Sequence, residues 1–328
     1  MRLTAERLAS GAQDLFSNVQ SLLGGNVSLW QPTTEQKKYT IGKVTIGGRI
    51  GENPTVLVGS IFYNKQKSLN FQEEKGEFNR IEAEKIIKTQ EEFSDKTGVS
   101  CMLDVVLTSK KWLSQMIDFV ASVTETPLFL DAPSAEIKIA ALDYAKQAGL
   151  LDRCVYNSLT PDSKSIEFEK IKETGLKAAV LLAFNTRNFT ARGRVEAVRQ
   201  LVPLASQSGI EKPLIDACVL DVPTLGSAFK AIYDLKNEFG YPAGCGAHNA
   251  IGTWRGLRTK MGPQAVKPCS AVANAFTIAA GANFILYGPV EDAPFVFPAV
   301  AMVDAAIAQT LIETGKMPAK SHPIFKIA

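Results

Sequence analysis

SCMLDVVLTSKKWLSQMIDFVASVTETPLFLDAPSAEIKIAALDYAKQAGLLDRCVYNSL, residues 100 to 159, holds three short apolar runs: Ser100–Leu107, Pro127–Ala132 and Arg153–Leu159. Between the last two, Ile137, Ala140, Ala141, Tyr144 and Ala148 fall on one face of a helix, with Gly149 where a helix stops. Runs this short and this continuously apolar suit parallel strands buried on both faces. Strand, helix, strand is the repeating unit.

The unit recurs outward in both directions. Thr55–Tyr63 precedes it, and Ala178–Asn185, Pro213–Leu220, Ala243–Asn249 and Asn283–Gly288 follow. Ala83, Ile86, Ile87, Gln90 and Phe93 make a helical face ending at Gly98, and Val195, Val198, Leu201, Val202 and Ala205 make another ending at Gly209. Eight strands alternating with helices predict an α/β chain of the (β/α)₈ TIM-barrel class, with an open doubly wound sheet as the alternative. Residues 1–328 are expected to form a single domain. Its first 54 residues read as an extension: an amphipathic helix over Leu3–Leu23, then a hairpin in YTIGKVTIGG (39–48) that turns at Gly42–Lys43 and plugs the N-terminal end of the barrel.

Composition narrows the function. With 36 basic and 33 acidic residues the net charge is +3, and the Lys and Arg positions are scattered, which argues against nucleic acid as a partner. Five widely spaced cysteines argue against a disulfide framework, and two histidines, His248 and His322, offer no ligand spacing, so no bound metal is expected. The first 30 residues lack a signal-peptide pattern, and no apolar run reads as approaching the roughly 20 residues that span a bilayer, so a cytoplasmic, non-spanning protein is expected. GGRIGENP (47–54) precedes the first strand instead of following one, so it lacks the setting of a nucleotide-binding loop. No run ends in a lysine suited to a Schiff base.

In such a barrel the chemistry lies at the C-terminal ends of the strands. There the runs close in Asp104, Asp131, Asn157, Asn185, Asp216, and His248 with Asn249. Any one of these is as readily a helix cap or a loop anchor. Together they make a rim of acceptors, and a pterin, with its 2-amino group, ring N–H groups and carbonyl, suits it. Purines and some sugars suit it too, and a pair of carboxylates can serve a glycosidase, although this rim is poor in Glu and aromatic platforms. His248 reads as a satisfied barrel histidine, and Arg187, Arg192 and Arg194 as solvated surface, with contact to a folate glutamate tail as the alternative.

These strand ends resemble the barrel-fold pterin-binding methyltransferases, which include methyltetrahydrofolate:corrinoid enzymes and, more distantly, dihydropteroate synthases. FLDAPS carries Asp131, VYNSL carries Asn157, LIDAC carries Asp216 and GAHN carries Asn249. The likeness extends from GKVTIGG and TVLVGSIFY through TQEEFSDKTG to LYGPVEDAPFVFPAVAMVDA and HPIF, and there the chain resembles the H-subunit family of tetrahydromethanopterin S-methyltransferase. The resemblance implies that Asp131, Asn157 and Asp216 hold the pterin and that Asn249 reaches N5; Asp104 and Asn185, at strand ends on the same rim, are expected to bind the pterin beside them. It implies transfer of a methyl group from methylcobalamin, carried by a corrinoid protein, to N5 of tetrahydrofolate, as in soluble relatives of the glycine betaine demethylation type. A pterin-presenting component of a membrane complex using tetrahydromethanopterin is one alternative. A dihydropteroate synthase-like enzyme is the other, although it expects Lys or Arg where this chain has Asn249 and Tyr287–Gly288. A homodimer is expected. Ala217, Cys218 and His248 depart from the Pro and Ser common in the wider family.

Overall fold

A computed structural model describes residues 31–327 apart from Lys65 and Glu73. The helix expected over Leu3–Leu23 lies outside the described residues. Strands β1 (Lys38–Ile41) and β2 (Val44–Gly47) pair antiparallel around Gly42–Lys43. Gly42 turns the chain at φ +52°, a conformation that carries no steric cost without a Cβ.

Eight parallel strands then close a barrel in chain order: β3 (Val56–Ile61), β4 (Ser100–Val106), β5 (Leu128–Asp131), β6 (Cys154–Leu159), β7 (Ala178–Leu182), β8 (Lys212–Asp216), β9 (Ala243–Cys245) and β10 (Phe284–Pro289), with β10 pairing β3. The first six strands of the barrel each lead to one long helix: α1 (Arg80–Thr97), α2 (Leu113–Val123), α3 (Ala135–Gln147), α4 (Ser165–Thr174), α5 (Ala191–Gln207) and α6 (Val222–Phe239). After β9 the chain breaks into α7 (His248–Gly252), α8 (Gly256–Lys260) and α9 (Val266–Phe276), and α10 (Ala293–Ile312) follows β10. Side-chain caps start several of these helices. Asn79 accepts from the N–H of Glu82, Ser134 from Ile137 and Asp221 from Thr224.

Alternation along the strands divides the apolar residues in two. Val58, Met102, Phe129, Val155, Val180, Leu214 and Phe284 fill the barrel interior, and Ile41 and Ile46 of the hairpin join that cluster from below. The hairpin therefore closes the N-terminal end, as the sequence predicts. The other strand faces pack on the helices, with Leu103, Leu130 and Tyr156 on one side of the ring and Ile215, Ala243 and Ile285 on the other.

The structure corrects three expectations. The seventh run is a strand only to Cys245, because Ala247 already has helical φ and ψ, so His248 and Asn249 open a short helix instead of closing a strand. Asp104 stands inside β4 and Asn157 inside β6, each two residues before its strand's end and not at it. Thirdly, the helix spanning Val290–Ile312 is long and apolar enough to cross a bilayer by length and composition, contrary to the reading that no segment is. Its inward residues Val296, Phe297, Val300 and Ala301 pack in the barrel's outer core, which accounts for much of that apolarity.

Candidate functional site

The interior positions of the strands carry the site. Ser60, Asp104, Asp131, Asn157 and Asp216 each stand two residues beyond an interior apolar residue: Val58, Met102, Phe129, Val155 and Leu214 respectively. Since successive side chains alternate faces, all five point into the barrel toward its C-terminal mouth. Asp131 and Asn157 are register partners, so they stand side by side. Asp104 accepts from Ser60 Oγ at 2.8 Å and from Asn157 Nδ2 at 3.1 Å. Four strands round the barrel, Asp216 accepts the N–H of Cys218 at 2.7 Å and that of Gly246.

Burial governs the charges here. It holds Asp104 well above the usual carboxylate range, the charge of Asp131 adds to this, and Ser60 and Asn157 act the other way. Burial also raises Asp131, against the Lys138 ammonium and the N–H of Ala132. The two carboxyls therefore release their protons in separate steps. Asp216 is pushed up to about 6 by burial, with the N–H groups of Cys218 and Gly246 and the Arg194 charge pulling it down.

Asn249 is exposed in the first turn of α7, and its Nδ2 donates to the Val219 carbonyl at 3.1 Å. Its Oδ1 accepts no hydrogen bond among the described residues. His248 places Nδ1 2.9 Å from the Leu286 carbonyl; burial lowers its pKa, and that hydrogen bond acts the other way. Asn185 lies in the loop after β7, where Oδ1 accepts from the N–H groups of Arg187 and Asn188 at 3.0 and 3.2 Å. That is an Asx turn, which spends its carbonyl on the loop.

Three contributors escape sequence reading. Ser60 is a lone hydroxyl inside an apolar run, and that was a usable signal. Lys138, on α3, donates to the Ser158 carbonyl at 2.7 Å and pairs with buried Glu167 at 3.1 Å, while Tyr156 OH donates to Glu167 at 2.7 Å. Nothing in the sequence separates Lys138 from a surface lysine. Arg194, expected as solvated surface, is buried: its Nε donates to the Ala217 carbonyl at 2.6 Å and its guanidinium to Cys218 at 2.9 Å and to Phe189. It thereby holds the loop that follows Asp216. Arg187 and Arg192 are exposed.

Among the described residues, no group of three His, Cys, Asp or Glu side chains is placed to share a metal ion. The mouth is a largely buried set of acceptors, with Asp131 half-buried, suited to a planar ligand that offers N–H donors from two edges.

A family described as the tetrahydromethanopterin S-methyltransferase MtrH subunit matches residues 34–318. The H subunit of tetrahydromethanopterin S-methyltransferase from Methanothermobacter thermautotrophicus is 36% identical over 304 residues, which cover 89% of this chain and 98% of that protein. The H subunit of a putative methyltransferase, mtx, from Methanosarcina acetivorans is 35% identical over 301 residues, covering 88% and 97%. Among solved structures, a Yersinia pestis dihydropteroate synthase with a pterine-sulfa conjugate superposes with a TM-score of 0.57 at 12% identity, covering 86% of this chain and all of that one. A Xanthomonas albilineans dihydropteroate synthase gives 0.55 at 15%, covering 87% and 100%. At such identities the likeness establishes the barrel fold and nothing further.

Proposed function

Since the chain belongs to the MtrH family of methyltransferase subunits, we propose that it moves a methyl group to or from N5 of a tetrahydropterin bound in the barrel mouth. The observation that carries this reading is the acceptor set of Asp131, half-buried, with Asn157 and Asp216, both buried, arranged on different walls of the mouth with no aromatic sugar platform among them. Asp131 and Asp216 accept from the N–H edges of the pterin, and the Asn157 amide accepts and donates beside them.

Asn249 reaches N5 from α7. N5 is a poor leaving group unless hydrogen-bonded, and a positioned amide there contributes a few kcal/mol to the transition state. The other holder of the methyl group is a corrinoid on a partner protein. Most of the rate then comes from holding two large reactants in line.

The names of the relatives favour tetrahydromethanopterin and a place in a multi-subunit assembly over the free-standing tetrahydrofolate enzyme that the sequence reading put first. The likeness to dihydropteroate synthases concerns fold alone. The homodimer and the cytoplasmic location belong to the same proposal, and light scattering and cell fractionation test them.

Titration of the purified protein with tetrahydromethanopterin and with tetrahydrofolate, each followed by a methylated corrinoid protein, tests the reading. Tighter binding of tetrahydromethanopterin and bleaching of the methyl–cobalt absorbance are expected. Asp131→Ala and Asp216→Ala should each weaken pterin binding at least about tenfold, the loss of one charge-assisted hydrogen bond. Unchanged affinity in both variants sinks the site assignment, and preference for tetrahydrofolate returns the free-standing reading.

A further inference from the structure

Asp104 differs from the other acceptors of the mouth. In the β4–β5 register it stands level with Phe129, while Asp131 stands level with Val106. The strands of such a barrel tilt, so the register drifts about one residue per strand and alternate strands share an interior layer; Asp104 on β4 therefore lies beside Asn157 on β6, as the bond between them requires. Each of its oxygens is already engaged, Oδ2 by Ser60 Oγ at 2.8 Å and Oδ1 by Asn157 Nδ2 at 3.1 Å, and only 3% of its surface is exposed.

We propose that Asp104 is a positioning residue that makes no contact with the ligand and acts through Asn157, whose amide it turns so that Oδ1 faces the mouth. A carboxamide can present either its acceptor or its donor to a ligand, and nothing in its own shape decides which. Asp104 decides it: the Nδ2 side is held by the carboxyl oxygen, and the carbonyl side is left for an N–H of the pterin. Ser60 anchors the carboxyl from the neighbouring strand. Specificity for a donor edge at this wall then resides in a residue that does not itself meet the ligand. This inference rests on the pterin reading and adds to it a division of labour among the acidic residues.

Pterin affinity measured across four variants tests it. Asp104→Asn can accept from Asn157 and donate to Ser60, so affinity within about threefold of the unmutated protein is expected; a tenfold or greater loss would mean that the carboxyl itself meets the ligand. Asp104→Ala should weaken binding about tenfold in the unmutated background but less than about twofold when Asn157→Ala is already present, because the interaction is then gone. Additive losses in that double-mutant cycle overturn the proposal. Should Asp104→Ala fail to fold, Ser60→Ala takes its place in the cycle with the same expectation. Absence of pterin binding by the unmutated protein overturns the parent reading and this one together. Binding that is intact, with Asp104→Asn impaired, overturns this one alone.

Discussion

The Nδ2 of Asn249 donates to the Val219 carbonyl at 3.1 Å, so the first turn after β9 is tied to the loop that follows β8 and its Asp216. This bond holds the amide at the mouth while leaving Oδ1 without a partner among the described residues.

Asn249→Ala should therefore lower the single-turnover rate of methyl transfer at least about tenfold, while the pterin dissociation constant changes less than about threefold, the mark of an interaction made in the transition state. Stopped-flow spectroscopy of the corrinoid and pterin titration supply the two numbers. Equal falls in both assign Asn249 to ground-state binding.

Arg194 supplies donors to the carbonyls of Ala217, Cys218 and Phe189 from a buried position. Arg194→Met leaves buried carbonyls without donors and should cost about 3 kcal/mol in urea unfolding. Freed of that clamp, the segment after Asp216 shifts, and pterin affinity should fall as well. A variant of unchanged stability removes Arg194 from this role.

Ile46 is fully buried against the barrel interior, from the hairpin side. Truncation to Ala should destabilise the fold by about 3 kcal/mol through lost burial and the cavity left behind. The floor lies away from the mouth, so pterin affinity below the melting transition should match that of the unmutated protein. Loss of affinity in folded Ile46→Ala would show the two ends to be coupled.

Asp304 accepts from the N–H and Oγ of Thr55 at 2.8 and 2.7 Å, and burial nonetheless pushes its pKa from 3.8 up to about 7. The folded protein thus keeps a proton that the unfolded chain releases near 3.8. Stability from this group is present in full below that value and is lost as pH rises toward about 7, then stays level. Asp304→Asn, which cannot titrate, should show a shallower fall in unfolding free energy between about pH 4 and 7. Parallel profiles for the two proteins would exclude the group from the pH response.

Eight apolar runs at βα spacing were enough to read eight parallel strands, because strands buried on both faces leave a pattern of composition and length that no neighbour in space is needed to create; closure, against the open sheet, is decided by the pairing of β10 with β3. The hairpin was legible in YTIGKVTIGG from its turn at Gly42–Lys43, whereas the packing of Ile41 and Ile46 into the barrel interior came from the tertiary structure. The acidic residues of the mouth were legible as residue types, since Asp131, Asn157 and Asp216 interrupt apolar stretches where burial is costly.

Their roles were not. Asp104 reads along the chain as one more rim acceptor, and only its bonds to Ser60 and Asn157 show that both of its oxygens are already engaged. Asn185 and Arg194 changed places, the first spending its carbonyl on an Asx turn and the second leaving the surface to hold the loop beyond Asp216. His248 and Asn249 moved from a strand to a helix. Each of these outcomes depends on a partner distant in the chain or on a local backbone choice that tertiary packing makes. Hydrogen bonding and desolvation act through space, and periodicity along the chain records only which face a residue occupies, not what waits there.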